Sequence, residues 1–214
     1  MKKFYWLCCL AFFLGATGCG LQSPYPDEPG TIFIRQQVCD LSDFKTHFFK
    51  PENNLKDRGF LAYHFYRDPG DPKTYLMIFE CADLKKAVEF IQSSNFIVAC
   101  VGAGLGSPVM WVGEEASPSF HSAVGKDGLA VMRYEMKDYG IWKKKWDESG
   151  QAGRLYRLSE KPGVVIVTRE VKDLAQVRDE LESQSSKDEL QAAGVTRQDF
   201  WLGSYLEGEN WFNF

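Results

Sequence analysis

The chain has 214 residues, 44% of them hydrophobic, with 25 basic and 29 acidic side chains and a formal charge of −4. That length holds one large domain or two small ones, each able to bury a core. An acidic balance excludes a general affinity for nucleic acid. The ordinary composition is broken at residues 1–18. Lys2 and Lys3 form a basic start, residues 4–14 an apolar run, and Ala16-Thr17-Gly18-Cys19 a small-residue cleavage site, which is the pattern of a secretory signal. The apolar run is shorter than the ~20 residues a helix needs to cross a bilayer. No permanent span is therefore expected.

A cysteine directly after Thr-Gly at that site resembles a bacterial lipobox, with Ala16 where the pattern prefers Leu. The resemblance implies S-diacylglycerol and N-acyl groups on Cys19, cleavage before it, and a cell-envelope location anchored through acyl chains rather than by a span. Removing Lys2 and Lys3 leaves 23 basic against 29 acidic side chains, or −6. The chains rather than a polybasic surface are then expected to do the anchoring. Residues 19–30, with Pro24, Pro26 and Pro29, read as a tether.

Residues 31–38 are rich in β-branched and aromatic side chains and predict a strand. Asp40 follows as a helix cap, with Leu41, Phe44 and Phe48 on one helical face, and Pro51 ends the helix. Residues 59–67 predict a second strand, Asp68-Pro69-Gly70-Asp71-Pro72 a turn, and 75–80 a third strand. Asp83 caps a second helix carrying Leu84, Val88 and Ile91, and residues 109–112 predict a fourth strand. The Gly102-to-Gly106 run between them follows a helix and precedes a strand, so it reads as a helix stop rather than a dinucleotide loop. Residues 31–115 thus form a βαββαβ unit. Residues 116–126 read as a linker.

Residues 127–207 repeat that unit. Glu80, Asp83, Leu84, Ala103, Gly104 and Trp111 recur 90 positions later as Glu170, Asp173, Leu174, Ala193, Gly194 and Trp201. Arg35, Asp40, Phe44 and Phe48 recur 98 positions later as Arg133, Asp138, Trp142 and Trp146. A strand at 129–136, a helix faced by Tyr139, Trp142 and Trp146, a strand at 164–168, a helix carrying Leu174, Val177 and Leu181, and a last strand at 200–206 are predicted. The Lys143-Lys144-Lys145 run reads as a solvated helix face. The fold class is α+β, two ferredoxin-like repeats covering one another's exposed sheet face as an intramolecular barrel. A monomer is expected.

The arrangement of Arg35, Asp40 and the following aromatic stripe, then Tyr66-Arg67-Asp68-Pro69, then Glu80, Asp83 and Leu84, resembles the dimeric α/β-barrel superfamily. That group is ferredoxin-like and includes antibiotic-biosynthesis monooxygenases and haem-degrading enzymes. The resemblance implies the barrel directly. Its cofactor-free oxygenases use Asn, Trp and His and its haem binders a His ligand, and no such set transfers to this chain residue by residue. His47 and His121 read as surface, and His64 as a core or barrel-facing side chain.

The symmetric charges Arg35, Glu80, Arg133 and Glu170, together with His64, are the candidate ligand-binding set. They either position an acidic or polar small molecule or serve as cross-strand ion pairs. No cofactor and no metal is expected, since no ligand spacing is present. Cys39 and Cys81 should sit at opposite ends of paired strands, which leaves Cys39 to Cys100 as the sole conceivable bridge, beside the default of buried thiols. The aromatic tail at 208–214, with Trp211, Phe212 and Phe214, either folds back onto the domain or docks elsewhere. The expected function is an envelope lipoprotein that binds a small molecule or an envelope protein, or serves structurally. The alternative is a monooxygenase-like or haem-handling enzyme.

Overall fold

The computed structural model describes residues 25–94, 96–97, 108–115, 127–150, 153–158 and 161–211. Cys19, Cys100, the glycine run at 102–106, the linker at 116–126, His121, Phe212 and Phe214 lie outside them. The first repeat contains β1 (Gly30–Gln37), α1 (Leu41–Phe48), β2 (Phe60–Arg67), β3 (Thr74–Cys81), α2 (Leu84–Ile91) and β4 (Val109–Glu115). The second contains β5 (Gly128–Met136), α3 (Tyr139–Ser149), β6 (Arg154–Arg157), β7 (Val164–Glu170), α4 (Leu174–Glu182), α5 (Gln184–Ala192) and β8 (Val195–Asn210).

The aspartates start the helices as their spacing predicts. Each sits in extended backbone and its carboxylate accepts from the first turn: Asp40 from Ser42 and Asp43, Asp83 from Lys86, Asp138 from Ile141 and Asp173 from Gln176, all at 2.8–3.0 Å. These bonds satisfy amides that have no partner within the helix.

The eight strands close into one antiparallel barrel in the order β1-β3-β2-β8-β5-β7-β6-β4. Each repeat supplies four neighbouring strands, and a shift of four places carries every strand onto its copy. The two sheets join edge to edge, β2 to β8 and β4 to β6. Side chains alternate between the lumen and the helix-covered outside. Phe33, Tyr66, Leu76, Ile78, Leu129, Val131, Tyr156, Ile166 and Trp201 fill the lumen, with Trp111 and Tyr205 packed against them. The first outer layer is built around Phe44, Phe48, Phe60, Phe65 and Phe79, the second around Met132, Tyr134, Trp142, Val165 and Val167.

Two symmetric features join the halves. Trp111 and Trp201 stack with ring centroids 3.5 Å apart and planes 12° apart. At the edge joints, Tyr66 lies over Gly203 and Tyr156 over Gly113, so close that an added Cβ would come within 2.4 Å and 2.7 Å of the tyrosine Cβ atoms. Only glycine lets these strands approach with the tyrosines in place.

Three elements exceed the sequence expectation. α5 is an additional helix, started by Ser183 accepting from the Ser186 amide, and it has no buried residue. A helix without an apolar face leaves no periodic trace. β6 pairs with both β7 and β4 although it is only four residues long. β8 continues past the predicted end at 206 to Asn210, because the edge of β2 offers partners from Arg67 back to Ala62. Trp211 then donates its amide to Leu61 and packs on Phe49 and Tyr63, with centroids 6.1 and 5.5 Å away.

Candidate functional site

Strand alternation places Arg35, His64, Glu80, Arg133 and Glu170 on the lumen side, yet it does not bring them together. In the β1–β3 register Arg35 stands opposite Leu76 and Thr31 opposite Glu80. Four residues of strand, about 13 Å, therefore separate the arginine level from the glutamate level. Arg35 pairs with Asp68 at 2.9 Å. Arg133, itself buried, pairs with Glu135 at 2.7 Å and Asp199 at 3.1 Å, and its guanidinium lies 5.9 Å from the Trp111 ring centre. Both arginines are thus answered by acids at their own end of the barrel. They pair across strands or to a turn, not with Glu80 or Glu170.

At the other end His64 is buried and its Nε2 approaches Glu80 to 3.5 Å, beyond hydrogen-bond length. Its Nδ1 faces the Gly208 backbone, where an added Cβ would lie 2.5 Å away. Burial first, and then Tyr205, Glu170 and Glu80, push the Tyr66 hydroxyl well above its ordinary range. Tyr66 stays protonated and neutral in the packed lumen. The lumen is a core with charged ends, and the five residues form no common pocket.

A pocket does occur on the outer face of the second sheet, beneath α3, α4 and α5. It encloses ≈360 Å³ between Met132, Tyr134, Trp142, Trp146, Leu181 and Leu190, with Arg169, Glu180 and Ser186 on its polar side. Its origin lies in three positions the repeat does not preserve. In the first layer Phe48 is ringed by Phe79, Phe90 and Phe96 at 5.2, 5.8 and 5.6 Å. Ninety positions later the same places hold Arg169, Glu180 and Ser186. Three rings are gone and Trp146, which replaces Phe48, cannot fill the space.

The pocket's chemistry follows from the same exchange. Arg169 makes a two-pronged pair with Glu180 at 3.1 and 3.2 Å, while its buried Nε has no hydrogen-bond partner. A buried donor without a partner costs about 1–3 kcal/mol, so a ligand oxygen there is favoured. Tyr134 donates to the Met132 sulfur at 3.3 Å, a weak acceptor that a ligand can displace. Trp142 and Trp146 stack at 5.4 Å and 19°, presenting flat apolar walls. Lys145 is exposed, as expected of the lysine run. It reaches the Ala192 carbonyl at 2.5 Å and closes one side.

Sequence reading placed Trp142 and Trp146 on the right helical face but missed Arg169, Glu180 and Ser186. The available signal was a mismatch: three phenylalanines of one copy facing charged or small residues in the other. Among the described residues the lining contains neither His nor Cys. Burial pushes Tyr134 up to about 12, so it is no tyrosinate at neutral pH. The pocket therefore does not fit ligation of a haem iron. Among the described residues no group of His, Cys, Asp and Glu could hold a metal. Cys39 is exposed and Cys81 buried, at opposite ends of the β1–β3 pair, and burial raises the Cys81 thiol well above its ordinary range.

No protein-family model and no curated protein matches the chain. Solved structures do. An anthrone oxidase-like protein matches at TM-score 0.53 and 8% identity, over 85% of this chain and 93% of its own. A mutant chlorite dismutase from Candidatus Nitrospira defluvii, in complex with cyanide, matches at TM-score 0.55 and 12% identity, over 84% of this chain and 91% of its own. Identities this low speak for the fold alone. With the closed strand order and the doubled βαββαβ unit, they establish an α+β dimeric α/β-barrel fold whose two halves reside in one polypeptide.

Proposed function

We propose that this is an envelope lipoprotein, anchored through Cys19, that binds a flat and largely apolar small molecule bearing an acceptor oxygen. The observation that carries the binding role is the replacement of Phe79, Phe90 and Phe96 by Arg169, Glu180 and Ser186, which leaves ≈360 Å³ beside two stacked indoles. That volume falls in the range of small-molecule sites, and apolar walls with a few placed donors are their usual make-up. Support for the anchor is the Thr17-Gly18-Cys19 cleavage pattern behind a run too short to span.

The haem-handling alternative calls for a histidine ligand, and His64 belongs to the lumen side of the other repeat's sheet. Titration with anilinonaphthalenesulfonate tests the proposal. The folded domain should enhance its fluorescence saturably, with tryptophan quenching, and Trp146→Ala should weaken binding at least about tenfold, a loss of ~1.4 kcal/mol. Haem should give no sharpened Soret band. A haem band that His64→Ala removes would favour the enzyme, and probe binding indifferent to Trp146→Ala would remove the pocket from consideration. Loss of fatty-acid labelling in Cys19→Ser checks the anchor separately.

A further inference from the structure

Three loops meet at one end of the barrel in the second repeat. The Met136 amide donates to Gly163 at 2.8 Å and the Lys137 amide to Gly194 at 3.3 Å, which ties the end of β5 to the β6–β7 turn and to the entry into β8. Lys137, Lys161, Lys187 and Arg197 are all exposed around this junction. A cleft of ≈450 Å³ is lined there by Lys137, Lys187 and Arg197, with no carboxylate among its described walls. Arg197 is shared with Asp199 at 3.1 Å, so among the described residues the three lysines are the charges left for an outside partner.

The tether passes them at Tyr25 before it crosses to the start of β1, where Asp27 pairs with Lys85 and Glu28 accepts from the Leu84 amide. Tyr25 shares a pocket of ≈180 Å³ with Met110, Trp111, Arg133, Leu158 and Lys161. Cys19 lies six positions before Tyr25, and six fully extended steps span at most about 21 Å. A domain of this size is about 40 Å across, so an anchored Cys19 holds this end near the bilayer while other faces can lie farther off. Exposed Val109 and Pro108 start β4 at the same end.

Charge then decides the orientation. The opposite end carries Glu80, Glu170, Glu207 and Glu209, which an anionic surface repels. Acids stand at the lysine end too, but Asp68, Glu135 and Asp199 there answer Arg35 and Arg133, and Asp40, Asp71 and Asp138 accept from backbone amides.

We propose that the barrel end bearing Lys137, Lys161 and Lys187 faces the anionic headgroups of the bilayer, an orientation that rests on lipid attachment at Cys19. The acyl chains supply residence and the lysines supply direction, each cation near an anionic surface favouring contact about fivefold. The partner is the lipid surface itself.

The full lipidated chain is reconstituted into phosphatidylcholine vesicles with or without phosphatidylglycerol, and treated with a membrane-impermeant amine-acetylating reagent. Mass spectrometry reads each lysine. Lys137, Lys161 and Lys187 should be acetylated several-fold more slowly on anionic vesicles than on neutral ones, with protection lost in high salt. Lys50 and Lys172, at the opposite end, should not change. Uniform reactivity in protein that still floats with vesicles overturns the orientation and leaves the anchor standing. Wild-type protein that does not float, or floats as well after Cys19→Ser, overturns both. Protection by inorganic phosphate without vesicles assigns the cleft to a soluble anion and overturns the lipid assignment.

Discussion

Gly203 and Gly113 mark how finely the two halves are fitted. Neither is needed for a positive φ, since among the described glycines only Gly59, Gly150 and Gly194 adopt one. Their role is distance: a methyl on Gly203 would press on the Tyr66 Cβ at 2.4 Å, an atom close to the backbone that cannot swing aside. Gly203→Ala should cost at least about 1–3 kcal/mol, the range for overpacking, and shift the denaturant midpoint with an unchanged slope. A variant as stable as the parent would mean that the strands can part without loss. At this scale the sequence was half legible. The repeated aspartates announced four helix caps, whereas the tyrosine and glycine of each joint lie in different repeats and share no local pattern.

The layer of helices over each sheet shows what a duplicated element can do once its copies diverge. Phe48 stands inside a ring of phenylalanines, and Trp146 stands in the same place without one. Arg169→Phe, Glu180→Phe and Ser186→Phe together should rebuild the first layer's packing in the second. Each ring fully buried adds about 1.5–3 kcal/mol, so the triple variant should unfold at higher denaturant and lose probe binding. A stabilised variant that still binds the probe would place the ligand elsewhere. Sequence periodicity found the helices because their apolar stripes recur at helical spacing. It passed over α5, which has no fully buried residue and packs on the core through half-buried Leu190, and it registered the stripe of Trp142 and Trp146 without the missing partners across from it.

The closed barrel explains why one chain suffices. The inner face of the first sheet presents Phe33, Tyr66, Leu76, Ile78 and Trp111, all covered by the second repeat. Residues 31–115 expressed alone should therefore self-associate through that face, while the domain from about residue 29 onward should be monomeric by light scattering. A monomeric, soluble half would show that each sheet closes without its copy. The architecture was readable from the repeat offsets of Glu80 to Glu170 and Arg35 to Arg133. The grouping of those charges was not, because register along a strand, not sequence symmetry, sets which acids face Arg35 and Arg133.

The pairing of Trp111 with Trp201 has an optical consequence. Two indoles from different repeats, with centroids 3.5 Å apart and planes nearly parallel, have transition dipoles close enough to mix. The pair should contribute an exciton couplet in circular dichroism, and either indole replaced by phenylalanine should remove that contribution and leave the one from Trp142 and Trp146. Unlike that of Trp142 and Trp146, which lie on one helix of the second repeat, the Trp111–Trp201 contribution cannot be generated by either repeat by itself. It appears only when the cylinder closes, so the protein carries a chromophore pair that reports the meeting of its two halves in real time during refolding.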